Sequence, residues 1–239
     1  MLIRPRRTQI PDWTSYLASR AGVARDRRLA RFFAAGAPAP ETPIAEAPLV
    51  ALDMETTGLD PRRNSIVSIG LVPFTLERSF LRERRYWIVR PRRTLNAKSV
   101  TFHHITHADI AGAPEFDDIL EDLLDALAGR LVVVHYRHIE RPFLNVAIKA
   151  RLGEGVKFPV IDTMSLEARI HRQSLLARFK RWIGHPPASI RLYDSRARYG
   201  LPPYQGHHAL TDALATAELL QAQIAHQYSP ETPVGTIWS

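Results

Sequence analysis

Asp53 and Glu55, in the stretch Asp53-Met54-Glu55-Thr56-Thr57-Gly58-Leu59-Asp60, are the residues of this chain best placed to do chemistry. They follow a short apolar run, Leu49-Val50-Ala51-Leu52, and precede a turn signal at Gly58, so they stand at the end of a strand. Side chains two apart on a strand point to the same face, which brings the two carboxylates together. Carboxylate oxygens are hard donors suited to Mg²⁺ or Mn²⁺, ions that keep positions open for water and substrate phosphate.

Two further segments add to this pair. Gly206 to Leu220 reads as a helix, with Leu210, Leu214, Ala217 and Leu220 at helical spacing. Asp212 on it offers a third carboxylate. His207, five residues earlier, stands at the start of that helix or in the loop before it. Leu131-Val132-Val133-Val134-His135 reads as a buried strand leading into a helix start, where Glu140 offers a fourth acid.

The order D-x-E-T-T-G-L from Asp53, H-x-x-x-I-E-x-x-F-L from His135 and H-x-A-L-x-D-A-x-A-T from His207 resembles the three exonuclease motifs of the DEDDh family of 3′-5′ exonucleases. That family includes the proofreading epsilon subunit of bacterial DNA polymerase III. The resemblance spans about residues 48 to 226. Phe102-His103-His104-Ile105-Thr106 with Ala113-Pro114-Glu115-Phe116 is similar to the family's H-G-I-T and A-P-x-F, and Asp162-Thr163 to its D-T. The chain departs from the pattern twice: Glu140 stands where the family has Asp, and Tyr136 where it has Asn.

The resemblance implies an α/β fold, a ribonuclease H-like mixed sheet flanked by helices, and removal of nucleoside 5′-monophosphates from single-stranded or frayed DNA 3′ ends. Phosphodiester hydrolysis of this kind uses two cations that bracket the scissile phosphate. In that scheme Asp53 bridges both Mg²⁺ or Mn²⁺ ions, Glu55 and Asp212 join it on the nucleophile-side ion, and Glu140 acts on the other through water. The longer Glu140 side chain is tolerable there, because a water-mediated contact has softer geometry than an inner-sphere bond. His207 takes the proton from the attacking water, a role that suits an imidazole. Thr56, Gly58 and Leu59 lie close enough to the first acids to touch the terminal nucleotide, and His103 is a candidate contact to the substrate strand; turn and core roles are the alternative for the first three. RNA is the alternative substrate, since the motifs do not report recognition of a 2′-hydroxyl. A non-catalytic adaptor that binds nucleic-acid ends is the alternative of a different class.

Composition is compatible with this reading. The 239 residues are 45% hydrophobic, enough for one sizeable core. There is no cysteine, which excludes disulfides and thiolate zinc sites. The basic start Met1 to Arg7 lacks a following apolar region, and no run approaches the length of a membrane span, so a cytoplasmic protein is the expectation. Residues 1–34 carry eight arginines against Asp12 and Asp26, which is +6 of the net +8 and leaves +2 for the other 205 residues. We expect a basic helical extension over 1–34, an Ala/Pro-rich linker over 35–48, an exonuclease domain over 49–228 and a tail over 229–239. The extension's arginines and aromatics either grip a nucleic-acid backbone or dock on the catalytic domain or a protein partner. Docking or a partner contact is the expectation, because charge runs of this length are usually exposed faces. The chain ends 27 residues after Asp212, little room for the polymerase-binding tail of an epsilon subunit, so a stand-alone or repair-associated nuclease is the expectation.

Strands are expected at 49–54, 66–73, 85–90 and 131–135, a helix at about 115–128, and an irregular Pro-bounded stretch from Gly184 to Tyr204 that delivers His207. His103, His104 and His107 do not make a zinc site, since no Cys accompanies them. His135 reads as a hydrogen-bonded structural histidine, and His208 should face away from His207.

Overall fold

The computed structural model of the chain describes residues 12–92, 105–175, 179 and 182–239. Its centre is a five-stranded mixed sheet: β1 (Leu49–Thr56), β2 (Ile66–Phe74), β3 (Arg85–Ile88), β4 (Leu131–Val134) and β5 (Val160–Asp162), in the order β3-β2-β1-β4-β5. The first three strands pair antiparallel, while β4 pairs parallel to β1 and β5 parallel to β4. This is the ribonuclease H-like mixed sheet that the sequence implies. β3 is shorter than expected, and β5, a strand of three residues, is too brief to leave a periodic signal.

Alternation along β1 divides its side chains between two cores. Val50, Leu52 and Met54 face α1 (Trp13–Val23), α2 (Arg27–Ala34), α4 (Phe116–Leu127) and α5 (Arg137–Leu152). Leu49 and Ala51 face the opposite core, formed with α6 (Thr163–Ala168), α8 (Ala209–Gln227) and α9 (Val234–Ile237). Asp53 and Glu55 continue that second set, so the same period of two that buries Leu49 and Ala51 aims both acids towards α8. Between these elements lie α3 (His107–Ala111) and α7 (Leu192–Arg198). The last interrupts the stretch expected to be irregular from Gly184 to Tyr204.

Gly70 sets how closely α8 can approach. It lies opposite Asp53 in the β1–β2 ladder, and a Cβ there would come within 2.4 Å of the Ala209 carbonyl carbon at the start of α8. Only a strand without a side chain at this point lets the helix N-terminus rest on the sheet beside Asp53.

The N-terminal helices begin at aspartate caps: Asp12 accepts from the Ser15 amide and Asp26 from the Arg28 amide. Leu17, Leu29, Phe32 and Phe33 enter the core. The arginines meet acids on or just beyond the helices that flank the sheet. Arg31 pairs with Glu121 at 2.7 Å and Asp125 at 3.3 Å; Glu154 accepts from the Arg25 and Asp26 amides at 2.9 and 3.1 Å and lies 3.5 Å from Arg20. The described part of the extension thus docks on the sheet's helices. Residues 35–48 and the C-terminal residues are also packed down: Ile44 is buried and its amide donates to Thr232, while Ser239 and Val160 exchange backbone hydrogen bonds along the β5 edge. Among the described residues no helix is long and apolar enough to cross a membrane.

Candidate active site

Three of the sequence-predicted acids come together. Asp53 and Glu55 from β1 and Asp212 from the first turn of α8 each offer an oxygen within 4.8 Å of the others. Such crowding of like charge away from water resists ionisation. Asp53 is held well above the ordinary carboxylate range by burial and by the charges of Asp212, Glu140 and Glu55. Burial, with Asp212 alongside, pushes Glu55 up to about 7. Asp212 is also raised by burial, against hydrogen bonds from Tyr204 and the His207 amide that favour its charged form.

Glu140 enters from α5, whose first turn begins where β4 ends. It is 3% exposed, and burial, with Asp162 as a lesser contributor, pushes it up to about 8. Its Oε2 is buried without a hydrogen-bond partner among the described residues. Glu140 lies outside the tight cluster, yet near enough for its charge to raise Asp53. A buried carboxylate oxygen lacking a donor beside three mutually repelling carboxylates is the environment that a hard divalent cation neutralises. The residues present therefore fit such an ion.

His207 precedes α8 as an exposed residue with φ of +67°, a left-handed conformation uncommon outside glycine. Its amide donates to Asp212 Oδ2 at 2.7 Å, so the strained turn is tied to the acid it flanks. His208 stacks on Tyr86, with ring centroids 4.6 Å apart. Thr56 donates from Oγ1 to the Gly58 carbonyl at 2.8 Å, and a Cβ on Gly58 would collide with the Asn64 amide. These contacts fix the turn that lifts Leu59 into solvent at 80% exposure. His103 lies outside the described residues. His135 is built into the scaffold, with Nδ1 2.8 Å from Thr163 Oγ1 and Nε2 3.2 Å from the Ile190 carbonyl; burial pushes it down to about 4.

Several further residues support the site. Asp162 caps α6 and also accepts from the Tyr136 amide at 3.0 Å, holding Tyr136 at φ of +101° just ahead of α5. Tyr204 hydrogen-bonds the Asp212 carboxylate. The Tyr204 ring rests 5.0 Å from the Arg196 guanidinium, which is buried and donates to the carbonyls of Ala215 on α8 and Pro202 in the loop. One arginine from α7 thus clamps the His207 loop to the helix that carries Asp212. Gly70 had a readable sign, a lone glycine within a buried apolar strand; Tyr204 and Arg196 act through contacts that no local pattern encodes.

The mixed sheet gathers three acids at the end of its central strand, with Glu140 and an exposed histidine nearby, and the chain belongs to the exonuclease family, whose profile matches residues 50–220. The DNA polymerase III PolC-type of Thermotoga maritima is 28% identical over 179 residues, 75% of this chain and 12% of the polymerase. The chain therefore corresponds to a small part of that relative. The DNA polymerase III subunit epsilon of Treponema pallidum is 26% identical over 176 residues, covering 74% of this chain and 76% of the subunit. Among solved structures, the nuclease domain of 3′hExo, a DEDDh family member bound to rAMP, superposes with a TM-score of 0.59 at 16% identity, over 75% of this chain and 92% of its own. Exonuclease X in complex with 5′ overhanging duplex DNA gives 0.51 at 23% identity, over 78% and 97%. At these identities the likeness establishes the fold.

Proposed function

We propose that this protein is a divalent-cation-dependent 3′-5′ exonuclease that releases nucleoside 5′-monophosphates from single-stranded or frayed DNA ends. The observation that carries the reading is the convergence of Asp53, Glu55 and Asp212 within 4.8 Å, with the partnerless Oε2 of Glu140 behind them. Asp53, Glu55 and Asp212 would hold the cations directly and Glu140 through water. A pair of Mg²⁺ or Mn²⁺ ions bound there supplies Lewis acidity to the phosphoryl and leaving oxygens.

The chain's own groups do the rest. His207, exposed at the rim, takes the proton of the attacking water as its oxygen bonds to phosphorus and the bond to the 3′ oxygen breaks. Its position is set through its amide on Asp212, and that of Asp212 through Tyr204. Thr56 and Gly58 shape the turn that presents Leu59, whose exposed side chain is free to pack on the terminal base.

Matched DNA and RNA oligonucleotides, each labelled at the 3′ or the 5′ end, test this reading. Mononucleotides should appear first from the 3′ end, in the presence of Mg²⁺ or Mn²⁺ and not of chelator. The solved structures that share the fold include enzymes bound to DNA and, in a 3′-exonuclease, a histone mRNA stem-loop, so faster release from RNA would redirect the assignment to RNA. Binding of ends without release would leave an adaptor.

A further inference from the structure

Between Glu167 and Asp194 the chain carries six basic residues, Arg169, Arg172, Arg178, Lys180, Arg181 and Arg191, and no acid. Among the described residues, the same stretch holds a concentration of exposed large apolar side chains. Leu175 is 82% exposed, Phe179 54%, Trp182 80% and Ile183 51%. Their spacing of four, seven and eight residues from Leu175 is that of one helix face. The Phe179 and Trp182 rings are neighbours, with centroids 5.9 Å apart. Large exposed aromatics are costly to leave in water, and a patch of them marks a contact surface.

The charge of this stretch selects what covers the patch. Among the described residues, Arg169 and Arg172 donate to backbone carbonyls and neither they nor Arg191 pairs with a carboxylate. A polyanion with flat apolar faces complements such a stretch: aromatic rings stack on unpaired bases while the positive charge that the stretch carries in sequence attracts the phosphates. We propose that Phe179 and Trp182 form a stacking platform for single-stranded nucleic acid, separate from the acidic cluster. This deepens the exonuclease reading and rests on it for the identity of the ligand. The platform has a physical link to the site. Immediately after it, the Ile190 carbonyl meets His135 at the end of β4, and α7 follows with Arg196, which stands beneath Tyr204. Strand held on the platform is thereby held by the segment that also anchors the His207 loop.

The test uses the full chain and a single-stranded 12-mer in chelator, so that binding is read without hydrolysis. Trp13 and Trp238 are buried and Trp87 is partly buried against the core, which leaves the exposed Trp182 as the main reporter of stacking. The 12-mer should quench tryptophan emission, and Phe179→Ala with Trp182→Ala should remove the quench and weaken binding by roughly 5- to 100-fold for each ring lost. Both side chains are exposed, so the melting temperature should not change. With Mg²⁺ restored, turnover of a dinucleotide should be the same in wild type and variant, while KM for the 12-mer rises. Equal 12-mer affinity in the two proteins overturns the platform, as does a wild type that does not bind the 12-mer. Two further results would also overturn it if 12-mer affinity is unchanged: loss in the variant of binding to anionic lipid vesicles, or dissociation of a wild-type dimer. Failure of wild type to release mononucleotides from any oligonucleotide would instead reject the exonuclease reading.

Discussion

The floor of the candidate site and its rim are built in different ways. Floor residues come from regular elements: Asp53 and Glu55 from the central strand, Asp212 and Glu140 from the first turns of two helices. Each is fixed by what packs behind it, such as Gly70 under the start of α8 or the Tyr204 hydroxyl on Asp212. The rim comes from turns, with His207 in a left-handed conformation and Leu59 standing 80% exposed. Groups that must share a cation need positions held to fractions of an ångström, which strands and helices supply. Groups that must admit water and a chain end of varying sequence work from loops on that scaffold. On this view floor substitutions should act on turnover and outer-rim substitutions on affinity.

The largest effect is expected from Asp53→Ala or Asp212→Ala. Each removes a proposed direct ligand, so mononucleotide release should be abolished while some oligonucleotide binding survives. Near wild-type turnover in Mg²⁺, with contaminating nuclease excluded by a mock purification, would break the contrast at once.

His207 is the rim residue assigned to the chemical step. His207→Ala should lower kcat about 10²- to 10⁴-fold, with a smaller effect on KM. A variant that loses affinity alone would move His207 wholly to the binding side.

Glu140 sharpens the comparison from the floor. Glu140→Gln keeps the shape and removes the charge, and should cost about 10- to 100-fold in rate, the usual size of an effect transmitted through water to a metal site. Glu140→Asp should retain substantial activity. If the Gln variant matches wild type in both Mg²⁺ and Mn²⁺, Glu140 has no part in holding cations.

The smallest effect belongs to Leu59. Leu59→Ala should raise KM by roughly tenfold or less and leave kcat unchanged, as expected for one apolar contact. A fall in kcat with unchanged KM would mean that this turn shapes the floor.

The sequence made the floor legible because strand alternation and helical position are local. Asp53, Glu55 and Asp212 follow from a period of two, a period of 3.6 and the order of three motifs. The supports were hidden because they are contacts between distant segments, such as Arg196 under Tyr204 or Tyr204 on Asp212. Charge was misleading for a related reason. Net balance put the basic character in residues 1–34, yet Glu154, Glu121 and Asp125 meet several of those arginines. The run from Arg169 to Arg191 carries six positive charges and vanished into a remainder of +2, because acids elsewhere in the fold cancel it in the sum. A total charge cannot distinguish paired arginines from those that await a ligand.

Thermal melting with and without divalent cation tests the central claim most directly, since it asks whether the acidic cluster exists to hold an ion. Without metal, Asp53→Asn removes one of several like charges confined within a few ångströms. The variant should melt higher than wild type, by about 2 to 4 °C for each kcal/mol of repulsion relieved. Mg²⁺ or Mn²⁺ should then raise wild-type melting in a concentration-dependent way and leave the variant nearly unmoved, reversing the order. Cations that shift neither protein, or both equally, would contradict the assignment of Asp53, Glu55 and Asp212 as the metal-holding floor of a nuclease.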